Sequence, residues 1–101
     1  MERQSVLFAH LVSMFQFSAM QQLGKIKNPL TDKVERDLEA ARVSIDMLDM
    51  LMERTKGNLP PDDEKLLTQV LRELRLNYVD EASKPESPPP EEKSTGQEAP
   101  Q

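Results

Sequence analysis

The chain has 101 residues, 18 acidic and 13 basic side chains, a net charge of −5 and no cysteine. That length allows one domain at most. The missing cysteines exclude disulfides, thiolate metal sites and a cysteine nucleophile together, and they point to the reducing cytoplasm; without a basic excess, nucleic acid is not an expected partner.

The first element is a helix expected over residues 3–23. From Gln4 to Gly24 there is no Asp, Glu, Lys or Arg, although such residues make up 31% of the chain. Phe8, Val12, Phe15 and Ala19 follow one row in steps of four, three and four. Leu7, Leu11 and Met14 follow a second row, and Phe17 and Met20 a third. Apolar side chains therefore point all round the helix, and such a helix has to be covered by protein or lipid. Gly24 is the residue type best suited to a left-handed cap at its end. Crossing a membrane is not expected, because eight of the twenty residues from Gln4 to Leu23 are Gln, Ser or His. A signal peptide is not expected either, since no small-x-small cleavage site follows. His10 is the one histidine; Ser13 is near, but no carboxylate on this helix could orient the imidazole for nucleophilic catalysis. It reads as a packed or interfacial residue.

The linker that follows contains Asn28-Pro29, which disfavours helix at Asn28. A second helix is expected over 32–56. Asp32 and Glu35 have capping-box spacing, with Thr31 a competing N-cap, and Gly57 supplies the stop after Arg54 and Lys56. Val34, Leu38, Ala41, Ile45, Leu48 and Met52 form a heptad seam. A second apolar set, Ala40, Val43, Met47, Met50 and Leu51, lies on another side. Between them runs a charged strip of Glu35, Glu39, Arg42, Asp46, Asp49 and Glu53. Asp46, Asp49 and Glu53 have a spacing that can ligate a divalent ion, but the Glu-x-x-His motif of di-metal bundles is missing. The strip reads as solvated, with Arg42 and Asp46 an i, i+4 pair. Lys56-Gly57-Asn58-Leu59 is not a P-loop and reads as a structural turn.

A third, one-faced helix is expected over 61–80, opened by Pro61 and by Asp62, Asp63 and Glu64, which suit a helix N-terminus. Its apolar residues are Leu66, Leu67, Val70, Leu71, Leu74, Tyr78 and Val79. Residues 81–101, acidic and Pro/Glu-rich, with Pro88-Pro89-Pro90 inside them, are expected to be disordered.

The reading is an all-α three-helix bundle over residues 1–80 with a disordered tail over 81–101. Helices one and two offer more apolar surface than two neighbours can cover, so the bundle is expected to self-associate, a dimer being favoured. Phe8, Phe15, Phe17, Met47, Met50 and Leu51 are the candidate interface, and its methionines suit an adaptable surface. The expected function is non-catalytic: a protein–protein interaction or oligomerisation module with no catalytic residue, cofactor or metal. An unknown protein partner is an alternative occupant. So is a membrane surface met by the uncharged first helix, although surface-bound helices normally carry Lys or Arg. A carboxylate metal site or an enzyme is the remote third reading.

Asn28-Pro29, Leu38, Ala41, Ile45-Asp46, Leu48, Met50-Leu51, Thr55-Lys56-Gly57-Asn58-Leu59, Glu64, Leu67 and Leu74-Arg75 together resemble the bacterial family known as domain of unknown function 1844, over roughly residues 5–80. Arg54 stands where that family usually has Lys, and Pro60 where a Ser or Thr N-cap is usual. The resemblance implies a short, all-helical bacterial protein and lends no catalytic residue. It singles out Asp46, Thr55, Lys56, Gly57 and Asn58 as polar positions of interest.

Overall fold

The computed structural model describes residues 2–84; the expected disorder of 85–101 lies outside the described residues. Three helices follow in chain order: α1 (Arg3–Gln22), α2 (Leu38–Arg54) and α3 (Pro61–Ala82). The all-α three-helix expectation holds, with no strand among the described residues. The helices run up, down and up. Gln22 at the end of α1 meets Ser44 in the first half of α2, while Ser5 at the start of α1 meets Asp63 at the start of α3.

One core joins all three. Val12, Ala19 and Leu23 enter from the α1 side, Ala41, Ile45 and Leu48 from α2, and Leu67, Val70, Leu71 and Leu74 from α3. Leu23, Leu48, Leu67, Leu71, Leu74 and Val12 are the largest fully buried side chains. Each stabilises the fold by about 1.5–3 kcal/mol relative to exposure. Because they come from every helix, no pair of helices forms a separate unit.

Three expectations about the elements are corrected. First, α2 begins at Leu38 rather than at residue 32. Asp32 has φ 58°, in the left-handed region, whereas an N-cap residue needs an extended backbone. Glu35 is also engaged elsewhere, accepting from the Asn28 side-chain amide (3.0 Å) and from Thr31 Oγ1 (3.4 Å). The working cap is Asp37, whose carboxylate accepts from the Ala40 N–H (3.1 Å). Val34 consequently lies outside the helix and is exposed, so the seam starts at Leu38. Second, α3 continues past residue 80 to Ala82. Third, the domain does not stop at residue 80: Glu81, assigned to the tail, is buried. Its partners on the α1–α2 connection hold that last turn in place, as described below.

That connection is built rather than loose. Gly24, at φ 80°, ends α1 as expected. Isolated antiparallel bridges pair Leu23 with Arg36 and Asn28 with Lys33. Asn28 closes the turn: its side chain accepts from the Leu30 N–H (2.9 Å) and its carbonyl from the Asp32 N–H (2.7 Å).

Candidate functional site

The apolar surface anticipated for α1 and α2 is divided by the fold. Phe8, Phe15 and Leu51 turn inward and pack, half-buried, against the core of their own chain. They leave the candidate interface for that reason: each lies on the same edge of its helix as a buried core residue, Phe8 and Phe15 beside Val12 and Leu51 beside Leu48. Phe17, Met47 and Met50 stay outside, each about half exposed. Val6, Leu7, Leu11, Met14 and Val43 join them among the exposed large apolar side chains.

The edges of the helices can be identified from their hydrogen bonds. Ser44 Oγ donates to Gln22 Oε1 (2.7 Å), marking the line along which α1 and α2 meet. Gln16 Nε2 donates to Glu73 Oε1 (3.0 Å) and Ser5 Oγ to Asp63 Oδ2 (3.1 Å), marking the α1–α3 line. With each residue turning about 100°, Leu11, Leu7 and Met14 fall about 20° to 80° beyond the Gln22 edge of α1, and Met47, Val43 and Met50 about 60° to 120° beyond the Ser44 edge of α2, both on the side away from α3. The two rows therefore flank one groove on one side of the molecule. Val6 and Phe17 fall on the other shoulder of α1.

The polar positions singled out by the resemblance do not converge on one centre. Asp46 is exposed on the outer side of α2. No ion pair among the described residues links it to Arg42; Asp49 is instead held by Arg75 of α3, Nη2 to Oδ1 2.6 Å. Thr55, Lys56, Gly57 and Asn58 build the α2–α3 turn. Thr55 Oγ1 donates to the carbonyl of Leu51 (2.8 Å), filling one of the acceptors a helix end leaves open. The Asn58 N–H donates to the Thr55 carbonyl (2.8 Å). Gly57 has φ 83°, and a Cβ there would meet nothing within 4 Å, so backbone conformation alone requires glycine. Leu59 folds back onto the core. A pocket of about 110 Å³ lies beside this turn, between Met52, Glu53, Leu59 and Glu64. Among the described residues no cluster of three His, Asp or Glu side chains could hold a metal ion, and no helix is long and apolar enough to cross a membrane. His10 lies exposed on α1.

A charged clasp at the far end went unread in the sequence. Glu81 receives Lys25 (2.7 Å), Lys84 (2.9 Å) and Arg36 Nε (3.4 Å), and its side chain is only 9% exposed. Arg36 Nη2 also donates to the Glu81 carbonyl (2.6 Å), and Lys25 reaches Asp80 (2.9 Å). Hydrogen bonds from Lys25, and then from Lys84, hold the Glu81 carboxyl below its ordinary value. Asp80 is lowered chiefly by its hydrogen bond from Lys25. Lys25 is raised in return, mainly by its bond to Glu81. The clasp ties the end of α3 to the α1–α2 connection, and its work is structural. Each partner is ordinary on its own; only the turn after Gly24 brings residues 25 and 36 to residue 81, and no local pattern announces that.

Residues 5–80 match the model of a family described as a domain of unknown function, DUF1844. No curated protein and no solved structure matches the chain.

Proposed function

Since the chain belongs to the DUF1844 family, whose description names no reaction, we propose a function that rests on surface rather than on a catalytic group. The protein is a non-catalytic, cytoplasmic helical interaction module that self-associates through the outward sides of α1 and α2. The observation that carries this reading is the exposure of Leu7, Leu11, Met14, Val43, Met47 and Met50, each between 41% and 58% exposed, around one groove. An apolar patch of this kind on a folded protein often marks an interaction site. The cysteine-free composition supports the cytoplasm as its setting.

Sedimentation equilibrium of the full chain at micromolar concentration tests the proposal. A dimer or higher oligomer is expected, and a monodisperse monomer overturns it. The second reading, attachment to a membrane surface, draws on Val6 and Phe17, which extend the apolar side of α1 beyond the groove. It is weaker because α1 offers no Lys or Arg between Gln4 and Gln22 to meet lipid headgroups.

A further inference from the structure

We infer that the occupant of the α1–α2 groove is a second copy of this chain, joined hairpin to hairpin so that α1 and α2 of both copies form an intermolecular four-helix layer with α3 outside it. The inference rests on the self-association reading and adds the arrangement of the two copies and its symmetry.

Spacing is the first support. Leu7, Leu11 and Met14 recur in steps of four and three, as do Val43, Met47 and Met50. These rows repeat the period of the rows already buried inside the protomer, Val12 and Ala19 on α1 and Ala41, Ile45 and Leu48 on α2. A helix with two heptad seams packs against neighbours on both. Two such helices, adjacent and antiparallel, with their second seams on the same side, are half of a four-helix bundle.

Charge is the second. A two-fold interface sets a surface against itself, so any charge near the axis meets its own like. Between Gln4 and Gln22, α1 has no ionised side chain to repel its copy. On α2, Asp49 is directed to the opposite edge, where Arg75 holds it. Glu39 and Asp46, by contrast, are exposed one turn from Val43 and Met50 and border the row, which keeps the axis on the uncharged α1 side.

Area is the third. Six side chains of this size, each about half exposed, leave on the order of 500 Å² per copy. Two copies bury about 1,000 Å², the lower bound for a specific interface. An interface of that size belongs with weak, reversible contacts.

The experiment measures dimerisation of full-length Leu11→Glu and Met47→Glu by sedimentation equilibrium. Leu76→Glu and Val79→Glu on α3, whose parent side chains are 66% and 65% exposed, are controls of equal charge. Far-ultraviolet melts confirm folding, and Leu11→Ser and Met47→Ser replace any glutamate variant that fails to fold. Each groove glutamate is expected to weaken dimerisation at least about 100-fold, since it carries an unpaired charge into an apolar contact. The α3 variants are expected to stay within about three-fold of the parent, as surface changes do. Oligomers that persist in the groove variants overturn this inference and with it the placing of self-association on the outward sides of α1 and α2, while self-association itself stands. A parent chain that is monomeric overturns both, and sedimentation of that monomer with phosphatidylcholine–phosphatidylglycerol vesicles would give the surface to lipid.

Discussion

Replacing Glu81 with alanine is expected to destabilise the fold far more than its place at the end of the last helix suggests. The carboxylate is 9% exposed, accepts from Lys25 and Lys84 and is ion-paired with Arg36. Breaking one side of an enclosed, hydrogen-bonded ion pair costs about 3–5 kcal/mol. Here the loss is smaller. Arg36 keeps its bond to the backbone carbonyl of residue 81, Lys25 keeps Asp80, and both lysines reach water. Solvent screening and these surviving partners bring the expected cost to about 2 kcal/mol. In a domain of this size that lowers the melting temperature by about 8–16 °C, read by circular dichroism at neutral pH. Asp80→Ala, at a side chain 56% exposed, is the control and is expected to melt near the parent. The pH dependence follows from the sign of the shift. In the folded chain the Glu81 carboxyl lies below its ordinary 4.5, so the folded state binds fewer protons than the unfolded one. Its contribution is complete above that value and is lost as pH falls below it. The gap between the parent and Glu81→Gln should therefore be full at neutral pH and should close in acid. A Glu81→Ala protein melting with the parent would refute the assignment of the clasp as a stabilising element.

Asp37→Ala is expected to cost about 1 kcal/mol as a lost N-cap, whereas Asp32→Gly, at a left-handed backbone position, should leave stability unchanged or raise it by up to about 1 kcal/mol; urea titration of both distinguishes a helix starting at Leu38 from one starting earlier. Ile45→Asp sets an unpaired charge at a 7% exposed core position and should cost several kcal/mol, enough to unfold a marginal domain; a folded variant in a thermal melt would contradict the packing described. Lys25 is raised above its ordinary 10.5, so its contribution is complete below that value and is lost only in stronger alkali; a melting temperature that already falls between neutral pH and 9 through this group would contradict the assignment.

What the sequence made legible follows the range over which each signal acts. The three helices, the inward seam of Ala41, Ile45 and Leu48, and the left-handed stops at Gly24 and Gly57 are written in spacings of a few residues. The start of α2 was misread because Asp32 and Glu35 imitate a capping box. Asn28 and Thr31 engage Glu35 instead, and Asp37 then takes the cap. Which apolar side chains of α1 face outward depended on where α2 and α3 settled. Phe8 and Phe17 look alike in the sequence, and only the fold sends one toward Val12 and the other to solvent. Glu81 was missed for the same reason, as its partners lie 56 and 45 residues earlier in the chain.

The two ends of the bundle are fastened unequally. At one, the α1–α2 connection and the last turn of α3 are riveted by the Lys25–Arg36–Glu81 contacts; at the other, among the described residues, Ser5 meets Asp63 through a hydroxyl bond. Breathing should start where the rivets are absent, so amide protons near the beginnings of α1 and α3 should exchange with solvent sooner than those around Leu23 and Leu74. The groove rows begin at that looser end with Leu7 and run toward the firmer one. Association along them would brace that looser end.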